Sequence, residues 1–275
     1  GLVWAESRAE YGKLCTFNGE RWDEVPVPFA DGVNAMPAGL GKFDDGSVAC
    51  IWRLGPELMA VSRHKGRESK IIYQGAGSVP GSGLQVEPFG DSRNRLWMTD
   101  RSSRIWWIDA EGNSRRAYEI SESELVSPRT PKGNYNPLMA TEDSRGRVWH
   151  WSNAEAGATS SFSLDGVLIC DGDVVNRQVL PGLEGRQFGA IAKFDSQYML
   201  LNVVRDGVYF VDVDTLESRR VPDPEPKAFV SVERILSFDG DCYVITDGPL
   251  GSRLWRWQGN DWKSINYFSR SRNVN

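Results

Sequence analysis

A β-propeller of about six four-stranded blades is the fold the sequence predicts, and three observations predict it. First, a turn-then-strand phrase recurs. It is clearest at Thr141-Glu142-Asp143-Ser144-Arg145-Gly146-Arg147-Val148-Trp149-His150-Trp151-Ser152 and returns upstream as Gly90-Asp91-Ser92-Arg93-Asn94-Arg95-Leu96-Trp97. Looser copies run Phe43–Ala49, Phe194–Leu200 and Phe238–Val244. Second, alignment on Trp97 and Trp149 makes Trp4, Ala49, Trp97, Trp149, Leu200 and Val244 equivalent. Their intervals of 45, 48, 52, 51 and 44 residues approach the period of about 40–50 residues expected of four-stranded blades. Third, no apolar periodicity of a helix is sustained; Ser121–Leu125 has room for one turn.

Each blade can be justified in turn. Blade one offers Leu2-Val3-Trp4, then Leu14-Cys15-Thr16-Phe17, a Gly19 turn and Trp22, but no inner strand. The expectation is one propeller domain over 1–275, read as a fragment. The missing strand is supplied by the tail Ser269–Asn275 or lies outside; the tail's polarity favours the second. Seven blades in a complete domain are compatible with this. In blade two, Ala38-Gly39-Leu40-Gly41 brings small residues to the inner strand, where strands crowd an axis. Blade three divides into Leu84–Gly90, Arg95–Asp100, Arg104–Asp109 and Ser114–Ile120, with a turn at 109–113. Blade four adds a hairpin turn at Leu164-Asp165-Gly166. Blade five repeats the small inner strand as Phe188-Gly189-Ala190-Ile191-Ala192. In blade six, Leu254–Trp262 aligns without a gap to Leu14–Trp22.

Composition narrows the function classes. A net charge of −5 and a pI near 5.3 provide no field that would attract nucleic acid. No apolar run is long enough to span a membrane, and no signal sequence is visible in a chain that begins with Gly1 in mid-pattern. Cys15, Cys50, Cys170 and Cys242 sit among apolar strand residues without any C-x-x-C spacing, so buried free thiols are expected rather than zinc; disulfides are the alternative. No cofactor is expected.

At Glu142-Asp143-Ser144-Arg145-Gly146-Arg147-Val148-Trp149 the chain resembles the two-component regulator propeller family, whose blade phrase is roughly E-D-x-x-G-x-L-W-I-G-T. Gly90–Trp97 matches in part, and Leu2-Val3-Trp4 matches the strand alone. The Ile-Gly-Thr ending is replaced by His150-Trp151-Ser152, Met98-Thr99-Asp100 and Ala5-Glu6-Ser7, and three blades lack the Trp. The resemblance implies a non-catalytic, extracytoplasmic (periplasmic or secreted) sensing or binding module.

In such a fold the links between blades share one face with the second-to-third-strand loops. Here those links are long: 75–84, 121–136 and 173–187. Long loops on a rigid scaffold are where binding concentrates. Arg8, Arg53 and Arg101 each follow the aligned Trp position by four residues, so radial repetition would gather them where a carboxylate, sulfate or phosphate could bind; pairing of each with a local acid is the plainer expectation. Tyr135, Asn153, Arg205 and Asp247 complete the candidate ligand-binding set. The expected partner is a small anionic or carbohydrate ligand, or another protein domain. The alternative is a propeller enzyme, a lyase or hydrolase with a metal at the axis, of the streptogramin-lyase or sugar-lyase type. It would need paired histidines, and His64 and His150 fall in different blades.

Overall fold

The computed structural model describes residues 3–7, 13–30, 33–56, 58–66, 68–76, 88–99, 104–121, 138–152, 164, 166–238, 240–248, 251–258 and 260–269. Among these, six antiparallel sheets follow one another in chain order. Blade one has β1 (Val3–Ser7), β2 (Lys13–Phe17) and β3 (Trp22–Val25). Blade two has β4 (Met36–Lys42), β5 (Val48–Arg53), β6 (Leu58–Lys65) and β7 (Glu68–Ala76). Blade three has β8 (Phe89–Gly90), β9 (Arg95–Thr99), β10 (Arg104–Asp109) and β11 (Ser114–Glu119). Blade four has β12 (Leu138–Glu142), β13 (Val148–Ser152), β14 (Val167–Asp171) and β15 (Val174–Gln178). Blade five has β16 (Phe188–Lys193), β17 (Tyr198–Val203), β18 (Gly207–Asp212) and β19 (Ser218–Arg220). Blade six has β20 (Val232–Phe238), β21 (Asp241–Gly248), β22 (Gly251–Gln258) and β23 (Asp261–Ser269). A single 3-10 turn, Ala228–Val230, is the one helical element among the described residues.

The repeat alignment predicted from sequence is met at the backbone. The amides of Phe43, Asp91, Asp143 and Phe194 donate to the carbonyls of Ser47, Arg95, Arg147 and Tyr198 at 2.9, 2.9, 2.9 and 3.0 Å, so the same backbone bond closes the first turn in blades two to five. That turn requires a left-handed residue at its fourth position in three blades, filled by Gly46, Asn94 and Gly146 (φ 81°, 62° and 73°). Blade six differs: Phe238 pairs directly with Asp241, which leaves a two-residue turn. The self-match holds in register, since Phe17 pairs with Trp22 as Trp257 pairs with Trp262. The first sheet is the three-stranded one, as expected. The tail 270–275 and the helical turn expected at 121–125, apart from Ser121, lie outside the described residues.

The chain divides into two compact units, Gly1–Ile120 with Lys132–Met139, and Ser121–Pro131 with Ala140–Asn275. In the first, strand alternation gives blade two two apolar faces. Cys50, Trp52 and Ala60 pack with Leu14 and Trp4 of blade one. Ala49, Ile51, Met59 and Val61 pack with Leu96, Met98 and Ile108 of blade three. Gly41 of β4 leaves room for the side chains of Leu96 on β9 and of Pro88, which a Cβ there would crowd. In the second unit, Leu200, Val208 and Phe210 of blade five pack with Ile235, Val244 and Trp255 of blade six around the buried Phe229. All four cysteines are free thiols, three of them buried. Burial pushes the Cys242 thiol up to about 12.

Candidate functional site

The polar groups inside the blades sort first into those the fold has already committed. Trp97 and Trp149 are buried at equivalent positions, and each indole donates to an aspartate at the first turn: Trp97 Nε1 to Asp91 Oδ2 at 2.7 Å, Trp149 Nε1 to Asp143 Oδ2 at 2.8 Å. The same carboxylates take Arg95 Nε and Arg147 Nε at 2.8 Å. Their other oxygens accept the amides of Arg93 and Arg95, and of Arg145 and Arg147. Both carboxylates are fully enclosed, and their lone pairs are spent on these donors, so the networks are structural.

His64 is equally committed. Trp52 Nε1 donates to Ser62 Oγ at 2.7 Å, Ser62 Oγ bonds His64 Nε2 at 2.7 Å, and His64 Nδ1 bonds Ser69 Oγ at 3.0 Å. Burial lowers the pKa of His64 to about 4 and that of His150 to about 3, so both are neutral near pH 7. With both ring nitrogens occupied by serines, His64 is not placed to ligate a metal or move a proton to substrate.

At the end of blade two away from its first turn, Arg53 closes β5. Its guanidinium is half-buried and donates from Nη2 to Met36 Sδ at 3.2 Å; no carboxylate among the described residues pairs with it. The cations at the opposite end of blade two differ. Arg63 and Lys65 converge on Asp45, which the Ser47 hydroxyl, the Ser47 amide and these two cations hold far below the usual carboxylate range. In the second unit Arg205 lies in the β17–β18 turn, exposed and left-handed (φ 64°). Asp247 ends β21 and accepts from Ser252 Oγ at 3.4 Å. Each of these three stands at the long-loop end of its own blade. Arg8, Arg101, Tyr135 and Asn153 lie outside the described residues.

One feature was not anticipated from sequence. A cleft of about 920 Å³ opens at the short-turn end of the first unit, walled by Trp4, Leu40, Lys42, Phe43, Phe89 and Gly90. The ring of Trp4 meets His64 at 5.5 Å on one side of it. The signal that could have located it is Trp4, which the repeat aligns with the buried Trp97 and Trp149.

Comparison with solved structures bears on the whole arrangement. The β-propeller domain of the Trilobed protease from Pyrococcus furiosus matches over 98% of this chain and 79% of that one, with a TM-score of 0.57 and 13% identity. The fold is a β-propeller. YCF48 bound to D1 peptide matches over 92% and 74% (TM-score 0.56, 11% identity). The extracellular domain of BT4673 from B. thetaiotaomicron matches over 98% of this chain, which spans 35% of that longer protein (TM-score 0.56, 13% identity). At these identities the likeness is one of fold. No protein-family model matches the chain, and no curated protein matches it.

Proposed function

We propose that this propeller is a non-catalytic binding module whose long-loop end receives an anionic group, carried by a small molecule, an acidic carbohydrate or a partner protein. The observation that carries the reading is Arg53: a half-buried guanidinium with a thioether as its hydrogen-bond partner and no carboxylate among the described residues. A planar fork of donors held partly out of water and lacking an anion is suited to forked bonds with a carboxylate, sulfate or phosphate. Arg8 and Arg101 share the offset of Arg53 from their aligned strand positions, and Tyr135, Asn153, Arg205 and Asp247 are further candidates, each on the loop of its own blade. The extracellular neighbour BT4673 supports an extracytoplasmic sensing role, and the peptide-bound YCF48 supports a protein partner as one carrier of the anion.

The test is titration of glucuronate and of a sulfated disaccharide, at low and high salt, into the parent and an Arg53→Ala, Arg101→Ala double variant. Saturable, salt-sensitive binding that is lost in the variant is expected. Equal binding by parent and variant would sink the anion reading.

A further inference from the structure

We propose that Met36 is a modification site: oxidation of its thioether by a hydroperoxide produces a sulfoxide that takes the Arg53 guanidinium for itself and closes that group to anions. The consequence for ligands rests on the anion reading at Arg53; the site itself rests on geometry.

The fold brings the two side chains together. Met36 opens β4, and the register of the β4–β5 ladder sets it directly opposite Arg53, the last residue of β5. Side chains directly opposite in an antiparallel pair leave the same face of the sheet, with Cβ atoms about 4.5–5.5 Å apart. The guanidinium reaches across that gap, and Arg53 Nη2 donates to Met36 Sδ at 3.2 Å. The other methionines are placed differently. Met59, Met98 and Met199 are buried, whereas Met36 and Met139 are half-buried. Oxidation follows exposure, so the first three are shielded. Met36 alone of the half-buried pair lies against Arg53.

The reaction uses one lone pair of the sulfur. A thioether has two, and the Nη2–H engages one. The other attacks an oxygen of the peroxide, so that the S–O bond forms as the O–O bond breaks. The electron pair of the O–O bond leaves on the second oxygen. The proton of the transferred hydroxyl follows it, and with hydrogen peroxide the leaving group departs as water. Sulfur is oxidised by two electrons and the peroxide is reduced by two.

The modification changes the strength of the acceptor. A thioether sulfur is a weak acceptor. A sulfoxide carries negative charge on its oxygen and makes the side chain polar. Three rotatable bonds let that oxygen swing onto the donors the sulfur already touches. A charge-assisted hydrogen bond then replaces a weak one, and it uses the fork of donors that an entering carboxylate or sulfate needs. The oxidised side chain is thus an internal competitor for the ligand.

The test treats the full chain with increasing hydrogen peroxide and maps the gain of one oxygen at each methionine by peptide mass spectrometry. Met36 should be converted about tenfold faster than Met59, Met98 and Met199. In the oxidised chain the NMR signal of the Arg53 guanidinium, assigned by its loss in Arg53→Ala, should move. Glucuronate affinity should fall about tenfold, the worth of one charge-assisted hydrogen bond. Met36→Leu nearly keeps the volume and removes the sulfur, so it should bind glucuronate and not respond to peroxide. That variant also controls for Met139, which is oxidised in both chains. Met36→Gln places an amide oxygen near the guanidinium and should weaken binding without peroxide. A methionine sulfoxide reductase should restore the parent. The proposal is overturned if any buried methionine is oxidised as fast as Met36, or if the Arg53 signal is unchanged by oxidation. It is equally overturned if glucuronate binding survives oxidation, or is lost to the same extent in Met36→Leu. Should the unoxidised parent bind no glucuronate, the anion reading falls, and the oxidation map and the Arg53 signal decide this proposal without a ligand.

Discussion

Blades three and four open their first turn with an enclosed carboxylate; blades two and five open it with an aromatic ring. The backbone bond that closes it is the same in all four. In blades three and four the first residue is Asp91 or Asp143, enclosed and saturated by an arginine and a tryptophan four and six residues on. In blades two and five it is Phe43 or Phe194. Phe43 is fully buried against Ala49 and Leu96, and Phe194 meets Phe210 edge-on at 4.7 Å. Aspartate occurs with arginine and tryptophan, phenylalanine with Ser47 and Ala49 or with Tyr198 and Leu200. The turn tolerates either set, and it is the set that is required: a buried carboxylate without its donors costs far more than an apolar ring ever does.

The sharpest way to break this comparison is to place one residue in both contexts. Asp143→Leu should cost about 3–5 kcal/mol, because it strands the Arg147 guanidinium and the Trp149 indole. Phe43→Leu should cost less than about 1.5 kcal/mol, being an apolar exchange of nearby volume. Urea denaturation measures both; equal losses would mean that the aspartate networks carry no special weight. Trp149→Phe keeps the ring's burial and removes one donor from Asp143, so it should cost about 1–3 kcal/mol, and Trp97→Phe should match it if the two blades are equivalent.

The next effect is read in pH. The folded pKa values of His64 and His150, about 4 and about 3, lie below the ordinary value of 6.5. The unfolded chain therefore takes up protons first as pH falls. Stability from these groups is complete above pH 6.5, falls as acid is added, and is exhausted for His64 below about 4 and for His150 below about 3. A urea midpoint that is flat between pH 7 and 4 would contradict their burial. The smallest expected change is that of Arg53→Ala, within about 0.5 kcal/mol of the parent in stability; a large loss would make Arg53 part of the scaffold.

The blade count and the second, third and fourth strands of blade three were legible because turn chemistry and two-residue alternation are local signals. The Asp–Arg–Trp clusters were legible in principle. In Asp91-Ser92-Arg93-Asn94-Arg95-Leu96-Trp97 the charged and indole side chains recur at even spacing on one strand face, but spacing alone does not show that the carboxylate is enclosed. The serine row around His64 was not legible in full, because Trp52 and Ser69 join Ser62 and His64 of β6 only through cross-strand register. The cleft beside Trp4 depends on the approach of β4 and β8, a relation between blades for which no single stretch of sequence has a mark. Arg53 was placed by its offset; its thioether partner on β4 was not foreseeable from that offset.

That serine row has a mechanical consequence. A β-sheet held by backbone bonds alone can be peeled one strand at a time from its outer edge, since each ladder is independent of the next. In blade two, Trp52, Ser62, His64 and Ser69 form a line of side-chain bonds running crosswise from β5 through β6 to the start of β7. Lifting β7 from that end pulls on an imidazole anchored two strands inward, so tension on the rim is shared with the strands beneath it. Blade two is in this sense laminated, and its outermost strand is expected to detach together with its neighbours rather than ahead of them.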